Sequence, residues 1–175
     1  PPMKESIKDR SQRLMPALGN LLKRRYTVDE SAINQGMMNV ARKLEVSAAR
    51  LPQGICHGDY HFFNIIKCID GGFALIDFDD ACAGPLVCDI AAFIWAVEYL
   101  GLSSDCNDHF LRGYERLREL SIVERETIPL YIAERDCWSI LGWTTSINQL
   151  GDPNNEFSRL LASAQRRFAK LVLSS

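Results

Sequence analysis

Apolar and polar residues alternate with two different periods along this chain, and the change of period divides it. Ile7, Leu14, Leu18, Leu21 and Leu22 fall near one stripe and predict a helix over Lys4–Arg25. The chain restarts at Thr27-Val28-Asp29-Glu30-Ser31, with Asp29 or Ser31 as candidate caps. A second helix is expected to run to about Arg50 and stop before Pro52. The pattern then shortens. Asn64–Ile69 reads as a strand, Asp70-Gly71-Gly72 as a tight turn, and Phe73–Ile76 as the returning strand of a hairpin. Asp89–Leu100 is apolar almost all round, which predicts a buried helix.

Asp105–Leu120 is amphipathic, with Phe110, Tyr114, Leu117 and Leu120 expected inward and Arg112, Glu115, Arg116 and Arg118 on a solvated face. Ile128–Leu150 reads as one or two helices, 151–155 as a break, and Glu156–Leu173 as a final amphipathic helix. The fold class expected is α+β, mainly helical, with one hairpin packed on a helical bundle. Its parts are a helical lead-in (1–50), a loop-and-hairpin segment (51–93) and a helical remainder (94–175), within one structural domain.

Composition narrows the class. At 175 residues, 47% hydrophobic and 24% charged, the chain can form one domain with a real core. A net charge of −2 gives no general attraction to nucleic acid or to an anionic membrane, so neither is expected as a partner. The longest apolar run is broken by Glu98, and nothing resembles a signal peptide. The six cysteines (Cys56, Cys68, Cys82, Cys88, Cys106, Cys137) lack paired CxxC spacing and read as reduced, mostly buried thiols of a cytoplasmic protein. The His and Cys spacings fit no zinc frame.

The chemistry concentrates in Ile55–Ile66, ICHGDYHFFNII, and in LIDFDDACAGPLVCDIAAF at Leu75–Phe93. Asp59 and Asn64 stand five residues apart, the Asp-to-Asn interval of the H-R-D-x-x-x-x-N catalytic loop, and Asp77 follows at the far end of the hairpin. Transfer of the γ-phosphoryl of ATP needs a base facing the attacking hydroxyl and oxygen ligands that hold Mg²⁺ against the phosphates. Antiparallel strands bring Asn64, at the entry of the hairpin, close to Asp77, at its exit. Mg²⁺ takes only one or two protein oxygens beside phosphate and water, so two such ligands suffice. The plainer reading, that Asp59 and Asn64 only shape a turn, does not account for all three residues in this order.

His57-Gly58-Asp59, Asn64, Ile76-Asp77-Phe78, Gly84-Pro85 and Asp89-Ile90-Ala91 together resemble the HGDxxxxN…IDF…GP…D[IL]A pattern of the aminoglycoside phosphotransferase and choline kinase-like family. That family includes homoserine kinases and stress-response protein kinases of the same fold. The resemblance implies the C-terminal lobe of a protein-kinase-like phosphotransferase, with ATP as co-substrate and Mg²⁺ as cofactor. It makes Asp59 the catalytic base and Asn64 and Asp77 the metal ligands, with His57 and Asp89 supporting the loop. Phe110-x-x-Gly113-Tyr114 echoes a helix that follows the motif in the family.

Two departures stand out. Asp79 replaces the glycine that follows Asp-Phe in protein kinases. No glycine-rich nucleotide loop or strand lysine precedes the catalytic loop. The chain is therefore expected to be the larger lobe of a longer protein, with its own N-terminal nucleotide-binding lobe as partner; a stand-alone lobe is the rival.

The expected activity is phosphoryl transfer to a hydroxyl of a small molecule such as an aminoglycoside, homoserine or choline. The alternatives are a protein Ser/Thr kinase of the same family or a non-catalytic binding or regulatory module. A metal hydrolase built on His57 and Asp59 lacks a second His/Asp cluster. Candidate acceptor-binding residues are His61, Asp79, Glu98, Tyr114 and Trp138, with Asp80, Glu134, Asp136 and Trp143 as further possibilities. Carboxylates and Trp faces would suit an amine-bearing acceptor. Against this, Trp138 and Trp143 sit at core-like helical spacing, and Glu134 and Asp136 can pair with Arg135 or neighbours on a solvated face.

Overall fold

The computed structural model describes residues 30–173. The expected Lys4–Arg25 helix and the candidate caps Asp29 and Ser31 lie outside the residues whose placement or side chains are described. The chain runs α1 (Glu30–Ala48), β1 (Gln53–Cys56), a 3₁₀ turn (Phe62–Asn64), β2 (Ile65–Lys67), β3 (Phe73–Leu75), β4 (Cys82–Pro85), α2 (Val87–Tyr99), α3 (Asp105–Glu115), α4 (Ile122–Leu150) and α5 (Glu156–Leu173). The mainly helical α+β class is as the sequence implies. Two compact units divide the described residues: 46–132, and 30–45 with 133–173, the boundaries falling within α1 and α4.

The first unit holds both strand pairs. β1 pairs antiparallel with β4, from Gln53↔Pro85 to Cys56↔Cys82, and β2 pairs with β3, from Ile65↔Leu75 to Lys67↔Phe73. The hairpin turn forms where Asp70-Gly71-Gly72 predicts it. Cys68 N–H donates to the Gly72 carbonyl (2.8 Å), and Gly71, at φ +85°, donates to the Cys68 carbonyl (3.1 Å). The strands are shorter than expected because Asn64 belongs to the 3₁₀ turn. One further ladder bond, Ile76 N–H to the Asn64 carbonyl at 3.0 Å, still closes the hairpin's open end.

α2 is the buried helix that its composition predicts: Val87, Ile90, Ala91, Ala92, Phe93, Ile94, Ala96 and Val97 are all buried. Phe93 stacks on Phe110 at 4.0 Å between ring centroids and meets Phe62 edge-on at 4.7 Å, which ties α2 to α3 and to the loop after β1.

α3 ends at Glu115, short of the expected Leu120, and this overturns part of the inward face. Once the helix stops, its 3.6-residue phase is lost, and Leu117 is 94% exposed while Leu120 is buried. Arg118 is likewise not on a solvated face. Its guanidinium grips the buried Glu124 at 2.6 Å and the Tyr114 hydroxyl at 2.8 Å.

α4 starts six residues earlier than the pattern suggests because Ser121-x-x-Glu124 forms a capping box. Ser121 Oγ accepts from Glu124 N–H (3.2 Å), and the Glu124 carboxylate accepts from Ser121 N–H (3.0 Å). Pro129 inside α4 follows this start by about two turns; its missing N–H leaves the helix a bond short there.

The second unit buries Met37, Val40, Ala41 and Leu44 of α1, Cys137, Ile140 and Leu141 of α4, and Leu161, Ala164 and Phe168 of α5. Asp136 is fully buried here and accepts from Arg167 at 2.6 and 3.0 Å, so it is not on a solvated face. Trp143 stacks on Phe157, in keeping with its core-like spacing. Asp152 caps α5, accepting from Phe157 N–H (3.1 Å) and Ser158 N–H (2.9 Å). Cys56 and Cys137 are buried and the other four cysteines half-buried, so burial of the thiols is less general than expected.

Candidate active site

The loop after β1 is held by a carboxylate from α2. Asp89, on the first turn of that helix, accepts from His57 N–H through Oδ2 (2.7 Å) and from Gly58 N–H through Oδ1 (2.9 Å). Two successive amides bonded to one carboxylate fix both peptide planes, and charge on the acceptor strengthens each bond.

Gly58 makes the geometry possible. It sits at φ +83°, and a Cβ there would lie 2.2 Å from the Asp80 carbonyl oxygen, so a side chain is excluded twice over.

His57 is buried and bridges the loop to the hairpin. Its Nε2 lies 2.8 Å from the Ile76 carbonyl, which can only accept, so Nε2 carries the proton. Its Nδ1 then accepts from Asp59 N–H at 3.3 Å. The Phe78 ring packs 4.6 Å from the imidazole. One ring thereby sets Asp59 against the residue that precedes Asp77.

Asn64 is buried and donates through Nδ2 to the Asp59 carbonyl (2.9 Å), with Asp59 Oδ2 at 3.5 Å. Anchored by its nitrogen, the amide presents its oxygen as the available ligand. The last ladder bond puts Asn64 opposite Ile76, one residue from Asp77. Asp77 is exposed and adopts φ +63°, a left-handed conformation that few residue types besides Gly, Asn and Asp enter readily.

His61 Nε2 stands 3.1 Å from Asp59 Oδ2, with the two side chains 19% and 30% exposed. His61 Nδ1 is buried without a hydrogen-bond partner among the described residues. The carboxylate of Asp89 also reaches beyond the clamp. Burial, and then its charge, raise the Tyr60 hydroxyl above its ordinary pKa.

The structure thus brings His57, Asp59, His61, Asn64 and Asp89 into one bonded set at the mouth of the hairpin, with Asp77 beside it. Asp79 and Asp80 follow, exposed, in the turn after Phe78. Glu98 stands exposed on the last turn of α2, and the Tyr114 hydroxyl is engaged by Arg118. Glu134, Trp138 and Trp143 are half-buried on the part of α4 that belongs to the second unit. Sequence reasoning assigned Gly58 no role; its signal was position, directly after His57, with which it shares one carboxylate.

As for the ligand chemistry, Asn64 Oδ1 and the Asp77 carboxylate are oxygen donors of the kind Mg²⁺ takes, and they fit an ion that completes its shell with phosphate and water. Among the described residues, no group of three or more His, Cys, Asp or Glu side chains could hold a metal by itself.

Solved kinases share this chain course. An amicoumacin kinase, solved with AMP-PNP, Ca²⁺ and its ligand, superposes with a TM-score of 0.66 at 21% identity, over 85% of this chain and 47% of that one. A choline kinase from Streptococcus pneumoniae superposes with a TM-score of 0.65 at 19% identity, over 90% and 54%. The fold is therefore that of the helical lobe of protein-kinase-like phosphotransferases. Residues 7–124 match the model of the phosphotransferase enzyme family (APH), and the chain belongs to that family. A homoserine kinase from a Caulobacter species (strain K31) is 39% identical over 84 residues, which are 46% of this chain and 26% of that protein. The chain spans about a quarter to a third of the length of the curated relatives it matches.

Proposed function

We propose that this chain is the catalytic and metal-holding lobe of an ATP-dependent kinase that phosphorylates a hydroxyl of a small molecule. The observation that carries the reading is the bonded set at the hairpin mouth. Asp59 is held by His57, Asn64 and His61, and Asn64, anchored through Nδ2, lies across the hairpin from Ile76, one residue from Asp77. A site that only shaped a turn would not need a buried amide anchored by its nitrogen.

In this reading Asp59 orients the acceptor hydroxyl and takes its proton as the new O–P bond forms and the bond from the γ-phosphorus to ADP breaks. General-base help of this kind contributes about 10²–10⁴-fold. Asn64 and Asp77 would hold Mg²⁺, which supplies neutralisation of the phosphate charge. His57 and Asp89 position the loop without touching substrate.

Homoserine is the first acceptor to try, given the homoserine kinases among the relatives. The apolar residues that the hairpin region leaves exposed, Phe63, Ile66, Ile69 and Phe73, suit a covering nucleotide and a further lobe of the same protein.

The test is turnover of Mg-ATP by the full-length protein with a panel of hydroxyl acceptors, beginning with homoserine, choline and an aminoglycoside. Acceptor-dependent release of ADP that Asp59→Ala lowers, with nucleotide binding spared, supports the reading. Full turnover in Asp59→Ala removes Asp59 as base. No turnover with any acceptor favours the non-catalytic module.

A further inference from the structure

The loop between β1 and the hairpin sends its side chains two ways. His61 has an extended backbone (φ −150°, ψ 173°), so the residues on either side of it point away from its own direction. The even-numbered residues turn toward α2 and α3. Tyr60 lies 6.2 Å from Phe93 and 6.0 Å from Phe110 between ring centroids, Phe62 meets Phe93 at 4.7 Å, and Asn64 is buried. The odd-numbered residues form a row of their own. Asp59 Oδ2 lies 3.1 Å from His61 Nε2, and the His61 ring meets Phe63 edge-on at 5.8 Å.

Phe63 ends this row 72% exposed, although Phe62 beside it is drawn into the aromatic cluster. An edge-on contact occupies at most one side of the Phe63 ring and leaves the other face open. Ile66, Ile69 and Phe73 are exposed as well, but they belong to the hairpin beyond Asn64. Among the described residues, Phe63 is the exposed apolar side chain joined through one imidazole to the Asp59 carboxylate. That narrows its cover from nucleotide, lobe or acceptor to the acceptor.

We propose that Phe63 is a specificity-determining residue of the acceptor site, its open face packing on the carbon skeleton of the alcohol whose hydroxyl Asp59 orients. The inference rests on the kinase reading and adds a chemical class to it: a small alcohol that carries an uncharged hydrocarbon stretch one side chain's length from the reacting hydroxyl. Such a stretch gains dispersion contacts from the ring and leaves water as it packs. The contact lies off the reacting atoms and is the same before and during transfer. It therefore governs binding of the acceptor and not the chemical step.

The full-length wild type, Phe63→Ala and Phe63→Leu are compared by steady-state kinetics with Mg-ATP and whichever of homoserine, choline or an aminoglycoside the wild type phosphorylates fastest. Phe63→Ala should raise KM for that acceptor about tenfold, with kcat and KM for Mg-ATP nearly unchanged. Phe63→Leu, which keeps apolar surface, should recover most of the loss. Because the ring is exposed, the urea midpoints of the three proteins should coincide. A lower midpoint in Phe63→Ala means that another part of the protein covers the ring, and a rise confined to KM for Mg-ATP means that the nucleotide does. An unchanged acceptor KM means that the ring touches nothing. Each of these overturns the proposal, and so does a Phe63→Leu protein as impaired as Phe63→Ala. A wild type that phosphorylates no acceptor is a separate result: it fails the kinase reading, and the acceptor site falls with it.

Discussion

His61 Nε2 holds one carboxylate oxygen of Asp59 at 3.1 Å, so the plane of the Asp59 carboxylate is set by a side chain two residues away. Removing that contact should let the carboxylate rotate while leaving nucleotide contacts intact. A hydrogen bond to a charged group is worth about 1.5–3 kcal/mol. His61→Ala in the full-length protein is therefore expected to lower kcat by roughly one to two orders of magnitude, with KM for Mg-ATP little changed. His61→Gln, which keeps a donor, should recover part of the loss. Steady-state kinetics of the three proteins decide it, and an equal loss in both variants would remove the contact from the mechanism.

Asp89 serves two amides with one carboxylate, so its loss should be felt in both folding and chemistry. Asp89→Ala leaves the His57 and Gly58 N–H groups without their acceptor, at about 2–3 kcal/mol of stability. Urea unfolding should show the cost, and turnover should fall with it. A variant as stable as the wild type would mean that the clamp is dispensable.

Gly58→Ala meets two objections at once, a left-handed backbone and the Asp80 carbonyl at 2.2 Å from the new methyl carbon. The expected loss is about 2 kcal/mol or more, read from the midpoint of chemical unfolding. Gly71→Ala, with the same sign of φ but open space around it, should cost distinctly less.

Glu124 gives the fold a pH dependence of known sign. Burial pushes its pKa up, but Arg118 and Ser121 more than offset this and hold it below the ordinary 4.5. A carboxyl lowered on folding contributes stability above its unfolded pKa and loses it as pH falls through the folded value. The wild type should therefore lose stability more steeply than Glu124→Gln as pH drops below about 4.5. Urea midpoints of the two proteins across that range provide the check.

Much of this architecture was legible in the sequence, for reasons that differ by element. Asp70-Gly71-Gly72 names its turn chemically, and α2 declares itself by being apolar on every face. The candidate site could be drawn from the sequence because Asp59, Asn64 and Asp77 keep a spacing that a loop and hairpin impose. The misreadings came where tertiary bonds outweigh periodicity. Leu117 continues the apolar stripe of α3 on paper, but the helix has already ended, and Arg118 turns back to a carboxylate six residues ahead. The start of α4 was written as Ser121-x-x-Glu124, a local signal masked by Pro129. Asp136 looks like a surface residue until Arg167, thirty-one residues on, supplies its charge partner.

The Asp89 clamp also sets an order of events in folding. His57 and Gly58 obtain their acceptor from a residue 31 to 32 positions later, so the loop after β1 cannot take its final shape before α2 has docked. Loop closure over such a span comes after local turns and helices have formed. The amides of these two residues should thus be among the last to gain protection from hydrogen exchange during refolding, which makes the loop a clock for completion of the lobe.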